Sequence, residues 1–321
     1  MTARRFPDAP AAAALLGVSV VFWGSSFRAT AIAAEHTSGV VISALRAVPA
    51  ALALAVLVAL LPGRRFPATP RLWLWAAVTG LLGTTLFFVG LSEGTRLAGA
   101  GNTAVLANST PFFVLVLGWL FLRERAAAVG VVGLAVGFAG VVVMVSSQLG
   151  GERSTRDLVA GIVLALAAAA GWAVTTLAVK SLVERNPDLD LLGLTAGQFL
   201  VGAAACVPLA LGLEGTGGTD WGSADLWGAI AWLTVGSSVL AYLAFFAALK
   251  RASATAVSAS LFLVPVAAVI IEAAYGEVPD GFVLLGMALA IAGVALVMFA
   301  PELQARRAAR SAAQAGSATS R

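Results

Sequence analysis

Long apolar runs broken by short polar clusters organise this chain. A helix that crosses the hydrocarbon core of a bilayer needs about 20 mostly apolar residues. Runs of that kind lie at 12–33, 39–61, 72–92, 99–122 and 127–146, and again at 158–180, 190–211, 226–249, 253–273 and 280–299. The breaks hold turn formers: Pro62-Gly63, Gly150-Gly151, Asn186-Pro187 and Gly215 to Gly218. The pattern predicts an all-α integral membrane protein of ten transmembrane helices. It divides the chain into an N-terminal segment 1–11, a five-helix unit 12–147, a linker 148–157, a second five-helix unit 158–300 and a tail 301–321. The tail, rich in Ala, Ser and Arg after Pro301, is expected to be disordered.

Composition supports the membrane reading. Of the 321 residues, 60% are hydrophobic and 11% charged, against about 45–50% and about 25% in a soluble domain. So little polar surface cannot cover a soluble fold, whereas lipid is itself an apolar solvent. Arg4 and Arg5 ahead of the first run imitate a secretion signal. Pro7 and Pro10 intervene and no small-residue cleavage site follows, so the first run is expected to stay as a helix.

Charge placement orients the spans. With the N-terminus in the cytoplasm, 15 Lys and Arg fall on the inside and 3 on the outside, Arg96, Arg153 and Arg156. Arg28 and Arg46 lie within spans. This positive-inside bias puts both termini in the cytoplasm and requires an even number of crossings. The basic residues are scattered between spans, which argues against a nucleic-acid partner.

Several chemistries are excluded. Cys206 is the one cysteine and His36 the one histidine, so no internal disulfide and no Cys/His metal site can form. His36, beside Glu35, reads as an exposed loop residue. No GxxxxGK[ST], HExxH or GxSxG motif occurs. No cofactor, metal or enzymatic activity is expected.

The two halves repeat each other. Pro111 pairs with Pro265 and Arg96 with Lys250, each 154 positions on. Glu124 pairs with Glu277, and Ala139-Gly140 with Ala292-Gly293, after a one-residue gap. Trp23 pairs with Trp172, and Arg46 falls near Gln198. Each half has five spans, an odd number, so the sixth crosses in the opposite sense to the first. Two such units, related by a two-fold axis in the membrane plane and enclosing a central cavity, form a common transporter architecture.

The residues then resemble a known family. Trp23-Gly24-Ser25-Ser26-Phe27 in the first span and Arg46 early in the second match the EamA-domain exporters of the drug/metabolite transporter superfamily. So do two blocks, Asn102 to Val141 and Ala254 to Val294. Each has a small polar helix, a proline, an apolar run, a loop glutamate and a Gly-rich helix ending in Ala-Gly-Val. The resemblance implies a secondary transporter, an exporter of amino acids or related metabolites, in the bacterial inner membrane. It implies a small-molecule substrate and alternating access. A membrane-embedded enzyme and a passive channel are the alternatives, and both a monomer and a homodimer stay open. Arg28 and Glu35, around the first outer loop, depart from the family pattern.

Candidate site residues follow. Arg46 lies about 10 Å into its span at 1.5 Å per residue, too deep for comfortable lipid exposure. It serves either to attract a substrate carboxylate or to clamp helix-end carbonyls or Glu93. Trp23, Trp172 and Tyr242 lie near mid-span and either wall an aromatic site or fill the core. Ser26, Asn102, Asn108, Gln198 and Ser258 are candidate cavity-lining groups, though some polar residues serve as glue between helices. Glu93 and Glu272, at outer span ends, either snorkel, as Arg28 and Arg96 can, or carry a coupling proton. Pro111 and Pro265 are candidate hinges. Glu124 and Glu277 are expected to cap the helices that follow them. Gly133, Gly137 and Gly140, with Gly286, Ala290 and Gly293, are expected to form packing seams.

Overall fold

The computed structural model describes residues 9–122, 128–144, 146, 154–215, 217–276 and 278–318. Ten helices follow in order: α1 (Pro10–Ala34), α2 (Gly39–Leu60), α3 (Pro70–Ala98), α4 (Asn102–Phe121), α5 (Ala128–Met144), α6 (Thr155–Arg185), α7 (Leu191–Leu213), α8 (Ala224–Leu249), α9 (Ala254–Ala274) and α10, whose apolar part is Gly281–Ala300. Among the described residues there is no strand, and all but α5 are long and apolar enough to cross a membrane. The residues flanking α5 lie outside the described ones, as do Glu124 and Glu277. The protein is an all-α membrane protein of about ten helices.

Local chemistry explains where helices start. Ser38, Thr69, Ser154, Asp190, Ser223 and Ser253 each accept a backbone N–H of the first turn on the side-chain oxygen. Such caps satisfy amides that have no partner within the helix. Gly99, with φ of 91°, makes the tight junction between α3 and α4 in a conformation that costs other residues.

The last helix continues from Gly281 to Ala318. Ala, Arg, Gln and Glu dominate Glu302 to Gln314, and all are strong helix formers.

Connections alternate between two ends of the bundle. At one end the backbone N–H of Asp220 donates to the carbonyl of His36 at 2.9 Å, and the hydroxyls of Thr37 and Thr219 are 2.6 Å apart. At the other end the Arg65 N–H donates to the Asp190 carboxylate at 2.9 Å, and Lys250 Nζ donates to the Leu189 carbonyl at 3.2 Å. Helix α1 therefore finishes at the His36 end, and α6 finishes at the Asp190 end. These equivalent helices run in opposite senses, as an odd number of spans per half requires.

The helices are not uniform. π-helical turns interrupt α3 at Leu81–Leu86 and α8 at Leu233–Leu240, in the same region of the two halves. Helix α4 breaks at Asn108-Ser109, just before Pro111. Helix α9 tightens to a 3-10 turn at Ser260–Phe262, just before Pro265. Proline 111 has no N–H to give the Ala107 carbonyl, and the Thr110 hydroxyl donates to that carbonyl instead, at 2.9 Å. Helices α5 and α10 meet along glycines. A Cβ on Gly140 would lie 2.5 Å from the Ala290 backbone nitrogen and 2.6 Å from the Gly286 carbonyl. Removing Cβ atoms allows the close approach that membrane helices use in place of a hydrophobic driving force.

Candidate functional site

The middle of the bundle holds a cluster of aromatic rings around one arginine. Trp23 of α1, Phe87 and Phe88 of α3, Trp172 of α6, Phe199 of α7, and Tyr242, Phe245 and Phe246 of α8 pack ring against ring. Centroids are 5.7 Å apart for Trp23–Trp172, 5.8 Å for Trp23–Tyr242, 5.1 Å for Trp172–Tyr242 and 4.9 Å for Phe199–Tyr242. Edge-to-face contacts dominate, as ring quadrupoles favour. Trp172 and Tyr242 are each only 1% exposed.

Arg46 enters this cluster from α2. Its Nε donates to the Ser238 hydroxyl at 3.1 Å and its Nη2 to the Ser237 hydroxyl at 2.9 Å. Its guanidinium carbon lies 4.0 Å from the centre of the Phe88 ring, an attractive cation–π geometry. No ion pair involves Arg46 among the described residues. Arg46 is half-buried. A guanidinium has five N–H donors, and two of them face these serines. Among the described residues Arg46 meets two serine hydroxyls and a ring face. Glu93 lies beside Arg96 at 2.6 Å.

The π-helical turns supply the polar partners. The turn in α8 carries Ser237 and Ser238. The turn in α3 carries Thr84, whose hydroxyl accepts from Gln198 Nε2 at 3.3 Å, and Gly83, whose carbonyl accepts from the Tyr242 hydroxyl at 2.9 Å. Trp23 Nε1 donates to the Ser237 carbonyl at 3.0 Å. A π turn widens the helix and leaves carbonyls off the regular ladder, and such turns often sit at functional sites. Sequence reasoning missed these turns and Ser237, Ser238, Phe88 and Thr84. The signal was small polar residues in mid-span, where lipid would reject them.

The structure brings together Trp23, Arg46, Trp172, Gln198 and Tyr242. It leaves the other candidates elsewhere. The amide of Asn102 donates to the Ala98 carbonyl and that of Asn108 to the Ala104 carbonyl, both on the chain just before them. Ser26 donates to the Trp23 carbonyl and Ser258 to the Thr255 carbonyl. Glu272 pairs with Arg28 at 2.8 Å at the His36 end, and Arg28 lies 3.8 Å over the Tyr275 ring. Pro111 and Pro265 stand just after the two helix breaks. Buried polar atoms without a hydrogen-bond partner among the described residues are Thr103 Oγ1, Trp172 Nε1, Thr175 Oγ1, Gln198 Oε1 and Thr234 Oγ1. A crevice of about 470 Å³ opens at the Asp190 end, lined by Arg65, Phe66, Arg185 and Asp188 among others.

Known proteins share this layout. The EamA-like transporter family matches the chain twice, over residues 11–146 and 159–299. The uncharacterized transporter YvbV of Bacillus subtilis is 26% identical, over 89% of this chain and 90% of its own. A probable terminal-alkyne amino-acid exporter of Streptantibioticus cattleyicolor is 29% identical, over 88% and 91%. A probable amino-acid metabolite efflux pump of Salmonella typhimurium is 26% identical, over 91% and 95%. One crystal structure superposes with a TM-score of 0.77 at 22% identity, covering 92% of this chain and 98% of the other, which establishes a shared fold.

Proposed function

The chain belongs to the EamA-like transporter family, and we propose that it exports small carboxylated metabolites, amino acids or close relatives of them, by alternating access. The observation that carries this reading is Arg46. A cation in mid-bundle is costly unless paired, and here it faces only hydroxyls and a ring face. A substrate carboxylate would complete its coordination with charge-assisted hydrogen bonds. The surrounding rings would hold the apolar part of the solute. The names of two relatives, an amino-acid exporter and an amino-acid metabolite efflux pump, agree with that chemistry.

The two units, 12–147 and 158–300, would rock about the aromatic centre. The positive-inside bias supports cytoplasmic termini in a bacterial plasma membrane, which makes the Asp190 end cytoplasmic and its crevice the loading side. Both halves of one chain build the site, so a monomer suffices. Glu93 and Glu272 each pair with an arginine at the opposite, outer end.

Counterflow in proteoliposomes with a panel of labelled amino acids tests the proposal. Saturable, solute-specific exchange that Arg46→Ala abolishes, in a protein that still elutes as a single species, is the expected result. Full exchange by Arg46→Ala would remove Arg46 from the binding role. Non-saturating flux would make the protein a channel.

A further inference from the structure

The two halves make several equivalent contacts, and one that the equivalence assigns is missing. The offset of 154 that joins Pro111 to Pro265 also joins Gly83 to Ser237, Thr84 to Ser238 and Phe88 to Tyr242. The contacts support this register. Arg46 reaches Ser238 from one side, and Gln198, the residue near its equivalent, reaches Thr84 from the other. Trp23 and Trp172 are likewise equivalent. Trp23 Nε1 donates to the Ser237 carbonyl, so symmetry assigns Trp172 Nε1 to the Gly83 carbonyl. That bond is absent. The Tyr242 hydroxyl holds the Gly83 carbonyl at 2.9 Å, and Trp172 Nε1, on a side chain 1% exposed, has no partner among the described residues.

A buried indole N–H left without an acceptor is destabilising, so an arrangement that pairs it competes with the present one. In inverted-repeat carriers one half rocks against the other around a fixed central site, which lets equivalent residues of the two halves trade contacts. We propose that transport exchanges these tryptophans: in the state open to the opposite side, Trp172 Nε1 takes the Gly83 carbonyl, Tyr242 releases it, and Trp23 releases the Ser237 carbonyl. Tyr242 is the asymmetric element. Its equivalent, Phe88, has no hydroxyl, so nothing competes with Trp23 for Ser237.

The inference rests on the alternating-access reading, and three substitutions to phenylalanine test it with opposite signs. Trp23→Phe removes a bond present here. Tyr242→Phe frees Gly83 for Trp172. Both shift the population toward the other state, by about fivefold for one ordinary hydrogen bond. Trp172→Phe removes a bond found only in the other state, and shifts the population about fivefold the opposite way. It removes no hydrogen bond of the present state, so it separates the loss of this bond from the ring-packing loss that Trp23→Phe shares with it.

The measurement is a pair of spin-label distances in lipid nanodiscs, in a Cys206→Ser background. One joins Glu35→Cys to Asp225→Cys at the His36 end; the other joins Arg71→Cys to Asp188→Cys at the Asp190 end. Two populations displaced in the stated directions support the exchange. Two populations that ignore the variants, or move the same way in all three, would overturn the exchange and leave the carrier reading standing. A single population under every condition, with and without an amino-acid panel, would overturn both.

Discussion

Arg46 and Gln198 stand in matching positions of opposite halves, and each reaches across to the π-helical turn of the other. Arg46 Nε lies 3.1 Å from the Ser238 hydroxyl, and Gln198 Nε2 lies 3.3 Å from that of Thr84. The geometry is shared while the charge is not. The bundle thus has near-symmetric architecture around a centre that is electrically one-sided, which suits a solute with one anionic end.

The first prediction uses that relationship. Arg46→Gln should lower exchange of carboxylated substrates by about 10-fold to 100-fold, the worth of hydrogen bonds to a charged group. The double variant Arg46→Gln/Gln198→Arg returns one cation to the centre from the other side. It should recover a measurable part of the lost exchange. Initial rates of counterflow at matched protein density decide it, and a double variant as inactive as Arg46→Gln would show that position matters as much as charge.

A second prediction concerns coupling. Arg28 and Glu272 form a half-exposed pair, and such pairs contribute about 0–1 kcal/mol. Glu272→Gln should leave thermal stability nearly unchanged and leave the pH profile of transport where it is. A profile that flattens in the variant would assign Glu272 the coupling proton.

Lys180 gives a third. Its ammonium, 3% exposed, donates to the carbonyls of Leu249 at 2.9 Å and Ala252 at 2.7 Å, closing the end of α8. Lys180→Met keeps the aliphatic stem but leaves those carbonyls without these bonds, a loss of about 1–3 kcal/mol. The melting temperature in detergent should fall, while substrate selectivity among the molecules that remain folded stays the same.

The glycine seam supplies a fourth. Gly140→Leu places a side chain against the Ala290 and Gly286 backbone, which cannot yield without parting α5 from α10. Overpacking of this kind costs about 1–3 kcal/mol. Gly212→Leu, where nothing lies within 4 Å of an added Cβ, is the control and should be near neutral. Melting curves of the two variants check the contrast.

The class of molecule, its roughly ten helices and the repeat were legible in the chain alone. Those depend on one-dimensional quantities: run length against bilayer thickness, charge placement between runs, and the spacing of Pro111 from Pro265. The chain also singled out Arg46, because a charge so deep in an apolar run stands out without any structure. The partners of Arg46 were not legible. Ser237 and Ser238 lie 191 and 192 residues away, and their hydroxyls reach it because a π turn interrupts α8 where α2 passes. Nor could the chain alone separate Asn108 and Ser258, whose side chains bond to their own helices, from Gln198, which crosses between halves. A polar residue in a span announces only that it needs a partner. Which partner it finds, its own helix or the opposite half, is decided when the helices pack.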